Sequence, residues 1–189
     1  MMKLEHAVEI KHADLIEACK FSDRKAQERI YDLYCNAMYN ASLRIVADTA
    51  QAEDIMQDSF IEAFQKISDF RGDGEFGGWL KRIVINNSIN YLQRRKEMTI
   101  LDDQHQELAD PATEEESITE NVFCRLEEIR TAMQLLNDDY RSILSLHLLE
   151  GYDHQEIAEV LQMSYGNVRT RYSRAKQKLL QIIMRSRDE

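Results

Sequence analysis

Amphipathic helices in two groups are what this sequence predicts. It reads as an all-α chain of two small helical domains joined by a flexible acidic linker, the C-terminal domain a helix-turn-helix. Three observations carry that reading. Apolar residues recur at helical spacing on both flanks, and nothing alternates with period two long enough to claim a sheet. The single proline, Pro111, lies in a stretch from Asp102 to Ser117 without a sustained apolar period. Charge is also segregated: every formal charge from Glu97 to Glu120 is negative, and every one from Gln162 to Arg187 is positive. The expected division is a first domain over 1–96, an acidic linker over 97–117 and a second domain over 118–189.

The first domain holds four predicted helices. Leu4 to Cys19 carries Leu4, Val8, Leu15 and Ile16 on a weak apolar stripe. Ser22 is placed to cap the next helix, whose stripe is Ala26, Ile30, Leu33, Tyr34, Ala37, Met38 and Ala41. Asp48-x-x-Gln51 has the form of a capping box and opens a third helix through Ile55, Phe60, Ala63, Phe64 and Ile67. Four glycines between Phe70 and Gly78 then predict a loop able to approach a ligand closely. A fourth helix follows from about Trp79, with Leu80, Ile83, Val84, Ile89 and Leu92 mostly facing a core.

In the second domain, Ser117-x-x-Glu120 reads as a capping box ahead of Val122, Leu126, Ile129, Met133 and Leu136. Asn137 caps a second helix with Ile143, Leu144, Leu146, His147 and Leu148 inside, ending at Gly151. Asp153-x-x-Glu156 caps a third helix and Ser164 a fourth. At about 100° per residue, Val168, Tyr172, Ala175 and Leu179 fall on one side of that last helix. Thr170, Ser173 and Gln177 fall opposite, flanked by Arg169, Arg174 and Lys176. A capped helix, a tight turn and a basic helix with one packing and one outward stripe form the arrangement that presents side chains to a DNA major groove.

Other chemistries find little support. The chain has 189 residues, 43% hydrophobic and 31% charged, as suits a globular protein. Cys19, Cys35 and Cys124 are scattered and never form a Cys-x-x-Cys pair. Glu9-x-x-His12 is half of a di-iron carboxylate pattern, and its second half is missing from the sequence. No glycine-rich phosphate loop occurs. The expectation is no enzyme, no catalytic residue, no cofactor, no metal and no small-molecule substrate. Met1 to His6 lacks the apolar core of a signal peptide, so a cytoplasmic location is expected.

These residues resemble the extracytoplasmic-function (ECF) sigma factors of bacterial RNA polymerase, in the sigma-70 superfamily, over nearly the whole chain. Glu156-Ile157-Ala158, Val168-Arg169-Thr170-Arg171 and Arg174-Ala175-Lys176 resemble the family's reader of the −35 promoter element. Ala52 to Phe60 resembles the helix that docks on the polymerase clamp. Phe70-Arg71-Gly72 leading to Trp79 to Asn86 resembles the loop and helix that capture the melted −10 element. The resemblance implies polymerase contacts by Asp54, Gln57 and Asp58, with Phe60 near that contact or in the core. It places Phe70, Arg71, Gly72 and Phe76 around a flipped base. Trp79 is either there or in the core, Asn86 and Asn87 stand on the DNA side, and Lys81, Arg82, Arg94 and Arg95 are phosphate neighbours. For the −35 duplex it implies Arg169, Thr170, Ser173 and Arg174 at base edges or adjacent phosphates, with Asn167, Arg171 and Lys176 on the backbone. Gly77 and Gly78 depart from the bulkier residues the family carries before this tryptophan.

The implied partners are core RNA polymerase (clamp and flap), promoter DNA and an anti-sigma factor. Nucleoid association when active, and retention at a membrane by the anti-sigma factor, follow as expectations. The formal net charge of −10 fits a protein that reads DNA only after joining polymerase. The rival reading is a stand-alone helix-turn-helix regulator, which leaves the glycine-rich loop and the basic end of the following helix unexplained.

Overall fold

The structure is a computed structural model that describes residues 13–72, 75–102 and 122–188. The described residues are helical with turns and contain no strand. Helix α1 covers residues 13–20, α2 Arg24–Val46, α3 Thr49–Gln65, and a 3₁₀ turn Ile67–Asp69 leads to α4, Phe76–Asp102. Then come α5, Val122–Gln134, α6, Asp138–Leu144, a π-helical turn Ser145–Leu149, α7, His154–Val160, and α8, Tyr165–Asp188. The chain divides into two compact units, Met1–Ile89 and Asn90–Glu189. The predicted helices from residue 13 onward are present. Leu4, Val8 and the Ser117-x-x-Glu120 box lie outside the described residues.

In the first unit, α2 and α3 pack as a pair and α4 closes the core. Ile30, Met38, Ala41, Met56, Phe60, Ala63, Leu80 and Val84 are all buried there. Its helix ends differ from expectation in ways the backbone explains. Ser22 takes a left-handed φ of 59° that turns the chain out of α1, and Asp23 is the cap of α2. The Asp23 carboxylate accepts from Lys25 N at 2.8 Å and Ala26 N at 3.0 Å, which a short acidic side chain does as well as serine. Asp48 accepts from Gln51 N at 3.0 Å, as its spacing predicted. Leu33 and Ala37 are exposed because the apolar arc of α2 is wider than the face its neighbours cover. Burial pushes the Cys19 thiol up to about 11, helped by the nearby Asp23 carboxylate, which leaves it protonated and inert at neutral pH.

Helix α4 starts at Phe76, three residues before its expected start, so Gly77 and Gly78 are helical. Gly77 has a reason to lack a side chain. A Cβ there would sit 3.0 Å from Tyr34 Cε1, whereas a Cβ at Gly78 would meet nothing within 4 Å. The bulk missing at Gly77 is thus supplied by a ring from α2. At its other end α4 runs through Asp102, so residues 97–102 of the acidic segment are helical.

The second unit is built around Ala132, Met133, Leu136, Leu144, Ala175 and Leu179, with Tyr172 against them. Asn137 caps α6 through Tyr140 N at 2.9 Å. Asp153 and Glu156 form the full reciprocal box that starts α7, with both bonds at 2.8 Å. The helix expected to run on to Gly151 instead widens into the π turn, which rotates Leu148 and Leu149 outward and leaves Leu146 buried. Ile129, expected inside, is likewise exposed. No helix among the described residues is long and apolar enough to cross a membrane.

Candidate nucleic-acid interface

The two helices expected to form the helix-turn-helix are α7 and α8, joined by a four-residue turn. Gln162 takes a φ of 54°, and Met163 N donates to Ala158 O at 2.9 Å, which ends α7 and reverses the chain. Ile157, Ala158, Leu161 and Val168 are buried and seat the two helices on each other. A column of rings completes the seat. His147 stacks on His154 with centroids 4.7 Å apart, and Tyr172 of α8 meets both at 4.7 and 5.0 Å. His147 Nδ1 donates to the Tyr152 carbonyl at 2.8 Å, which orients the stack.

This seating turns one face of α8 outward. Arg169, Thr170, Ser173 and Arg174 line a shallow hollow of about 580 Å³ with Tyr165 and Gly166. The first four were expected from sequence. Tyr165 was not assigned there, although its place one turn before Arg169 is a signal in the sequence; it is 48% exposed. Thr170 spends its hydroxyl proton on Gly166 O at 2.9 Å, so it presents a methyl and an oxygen acceptor. Asn167 and Lys176 are exposed beside the hollow.

Arg171 is turned away from it. Its Nη1 donates to Asp139 Oδ2 at 2.5 Å, so α6 holds this side chain against the domain. The same carboxylate receives Lys96 Nζ at 3.1 Å, and Asp138 binds both Arg95 and Arg141. The hydrogen bond to Asp138 raises the Arg95 pKa above its ordinary value. The two adjacent acids at the start of α6 thus anchor basic groups within this unit.

On α3, Asp54, Gln57 and Asp58 are exposed and share one face, with Gln57 Nε2 donating to Glu53 at 3.3 Å. Phe60 lies in the core, 3% exposed, with Tyr31 at 4.8 Å and Phe64 at 6.0 Å between centroids. Ile61 does lie on the same face: it is one helical turn beyond Gln57 and Asp58 and 57% exposed. The sequence analysis did not assign it, although its absence from the apolar stripe of Ile55, Phe60, Ala63, Phe64 and Ile67 is a signal in the sequence.

Between the 3₁₀ turn and α4, Phe70, Phe76 and Trp79 form a triangle with centroids 5.4–5.5 Å apart. Phe76 is 4% exposed and packs edge-on against Tyr34 at 5.6 Å, whereas Phe70 and Trp79 are half-buried. Phe76 therefore braces the other two, which keep accessible surface. Arg71 is exposed, and Gly72 adopts a φ of 77° that favours glycine. Burial and the nearby Glu75 carboxylate raise the Tyr34 pKa, so its hydroxyl remains protonated.

Along α4, Gly78, Arg82, Asn86 and Asn90 repeat every four residues and are all exposed, with Lys81 half-buried beside them. Asn90 was not singled out from sequence. Asn87 points elsewhere: its Nδ2 donates to Ser59 Oγ at 3.1 Å and Glu62 Oε2 at 2.8 Å on α3. No group of three or more His, Cys, Asp or Glu side chains that would hold a metal ion occurs among the described residues.

Both regions match known protein families. Residues 30–97 match Sigma-70 region 2 and residues 126–179 match Sigma-70, region 4. The RNA polymerase sigma-H factor of Pseudomonas aeruginosa is 32% identical over 183 residues, covering 90% of this chain and 94% of that protein. The ECF RNA polymerase sigma-E factor of Escherichia coli is 31% identical, covering 86% of this chain and 89% of its own. Among solved structures, the fold is similar to the sigma factor RpoE of Bartonella quintana, determined with the anti-sigma factor NepR. That match has a TM-score of 0.55 and 20% identity, and covers 83% of this chain and 96% of the other. It is also similar to CnrH, determined with the cytosolic domain of CnrY, at a TM-score of 0.51 and 22% identity over 89% and 94% of the two chains.

Proposed function

Because the chain belongs to the ECF sigma factors of RNA polymerase, we propose that its three exposed faces carry the three steps of promoter use. Helix α3 docks on the polymerase clamp through Asp54, Gln57 and Asp58, with Ile61 as the apolar centre of the contact. The loop after Phe70 and the exposed row of α4 hold the opened −10 strand. The hollow on α8 reads the −35 duplex. A sigma factor directs initiation and is not itself an enzyme, so each role is one of binding and placement. The stand-alone regulator is not favoured, since it gives no role to the region 2 match.

The physical argument for each face differs. Docking needs an apolar centre ringed by polar groups, and α3 offers Ile61 among Asp54, Gln57 and Asp58. Opening the duplex costs a few kcal/mol of unstacking per flipped base, which aromatic surface and hydrogen-bonding groups offset. Phe70 and Trp79 supply the first, and Arg71, Arg82 and Asn86 the second. At the −35 element an arginine paired to guanine discriminates by about 1–3 kcal/mol, a role for Arg169 or Arg174. Asn167 and Lys176 serve the phosphates, and Arg171, already spent on Asp139, shapes the domain.

The single observation that carries this reading is the α8 hollow: four polar or cationic side chains on one exposed face of a chain whose net charge is −10. An acidic protein is repelled by bare DNA, so such a face works when a large partner supplies further positive surface. An anti-sigma factor is a further partner of this reading, since RpoE was determined with the anti-sigma factor NepR and CnrH with the cytosolic domain of CnrY.

Run-off transcription with purified core polymerase on a promoter library tests the proposal. The chain is expected to direct initiation from a defined two-element promoter, with Arg174→Ala changing the preferred −35 sequence. Absence of promoter-directed initiation would overturn it.

A further inference from the structure

We propose that Asn87 is a positioning residue that fixes the rotation of α4 from the polymerase-docking helix, and that it does not read a base itself. The inference deepens the proposed −10 role of α4 and rests on it. Both amide hydrogens of Asn87 have acceptors on α3. One lies at Ser59 Oγ, 3.1 Å away, and the other at Glu62 Oε2, 2.8 Å away. Ser59 is fully buried and gives its own proton to Ile55 O at 2.6 Å, so its oxygen is committed as an acceptor. Glu62 is held from its far side by Lys66 Nζ at 2.6 Å. The Lys66 and Asn87 hydrogen bonds together keep the Glu62 carboxyl below the usual range, so it is an anion at neutral pH. A side chain tied at both donors has none left for DNA.

What this clamp sets follows from helical geometry. Asn86 is one residue away, about 100° around α4. Fixing Asn87 toward α3 therefore points Asn86 outward, on the exposed row with Gly78 and Arg82. A second lock agrees in direction: Ser88, buried, gives its own proton to Val84 O at 2.8 Å, and its oxygen pairs with the hydroxyl of Ser42 on α2 at 3.0 Å. On α3, Glu62 lies about 40° from Asp58 and about 80° from Asp54, between the docking face and α4. The acid that orients the reading helix is thus one turn from the groups that meet polymerase. Docking and reading surfaces share a rigid link.

The test reverses the polarity of that link in the full chain assembled with core polymerase. Asn87→Asp sets two carboxylates against each other and is expected to lower open-complex formation at least tenfold, read by permanganate reactivity of −10 thymines. Adding Glu62→Gln supplies an amide donor to the new carboxylate, and opening should return to within about threefold of the parent. Holoenzyme assembly and the thermal midpoint are measured on the same samples. Asn86→Ala runs in parallel as the reading residue. If Asn86→Ala opens promoters normally, the −10 role of α4 falls. If Asn86→Ala is defective while the double variant stays as defective as Asn87→Asp, the positioning role falls and direct contact by Asn87 replaces it. Should Asn87→Asp not assemble, Asn87→Ala and Glu62→Ala decide. Matching losses of opening with assembly retained support the link, and a loss from Asn87→Ala alone overturns it.

Discussion

Phe60 and Ile61 are adjacent apolar residues on α3 with opposite surroundings, and substituting each in turn separates folding from docking. Phe60 is 3% exposed between Tyr31 and Phe64. Truncating such a ring to alanine costs about 3–5 kcal/mol through lost transfer energy and the cavity left behind. In a unit of this size each kcal/mol moves the midpoint by about 4–8 °C. Phe60→Ala should therefore lower the melting temperature of the first unit by roughly 12 °C or more. Ile61 keeps 57% of its surface exposed, so its truncation should move stability by no more than about 0.5 kcal/mol. Burying that remaining surface against a partner is worth about 0.9–1.7 kcal/mol, taking the same fraction of the roughly 1.5–3 kcal/mol for a whole isoleucine side chain. Ile61→Ala should weaken core polymerase binding roughly tenfold with an unchanged melting curve. Fluorescence titration of labelled chain with core polymerase, beside circular dichroism melting, reads both quantities. Binding equal to the parent by Ile61→Ala would refute the docking face as drawn. So would a tenfold loss from Phe60→Leu in a chain that melts normally.

The two neighbouring glycines of α4 should respond in opposite directions. Gly78→Ala adds a methyl into open space on a helix and should stabilise by about 0.5–1 kcal/mol, whereas Gly77→Leu drives into the Tyr34 ring and should cost about 1–3 kcal/mol by denaturant unfolding. Asp153→Ala removes the reciprocal box of α7 and should cost about 1 kcal/mol, with −35 affinity falling in the same chain by electrophoretic mobility shift of the holoenzyme. Glu62 has a lowered folded-state pKa, so its contribution is present above the ordinary carboxyl value of 4.5 and is lost as pH falls through the folded value. Acid unfolding of Glu62→Gln should accordingly show a shallower loss of stability below about pH 4.5. Arg174→Ala should relax promoter choice at one −35 position, while Arg171→Ala should lower domain stability and leave that choice intact, because Asp139 already holds Arg171.

Much of the fold was legible because local rules decide it. Helix starts at Asp48, Asn137 and Asp153 follow from one short polar side chain and the free N–H groups three residues on. The α8 stripe was legible too, since Val168, Ala175 and Leu179 lie within one arc and are buried. Helix ends whose geometry depends on left-handed backbone or a π turn were not legible. Ser22 looked like a cap and is a terminator, and Leu148 looked internal and is exposed.

The candidate sites divide in the same way. Residue type and spacing marked the glycine-rich loop and the basic helix, because amphipathic period and charge segregation are properties of the linear chain, and the resemblance to the family added the acidic face of α3. Which member of each set is free was decided by packing. Arg171 and Arg174 carry the same charge, yet only one has Asp139 within reach. Asn86 and Asn87 are the same residue side by side, and Ser59 and Glu62 claim one of them. Gly77 has meaning only through Tyr34, which stands 43 positions earlier in the sequence. Hydrogen bonds and close contacts between residues distant in sequence depend on helix rotation, and rotation is set when cores close, not by any window of the chain.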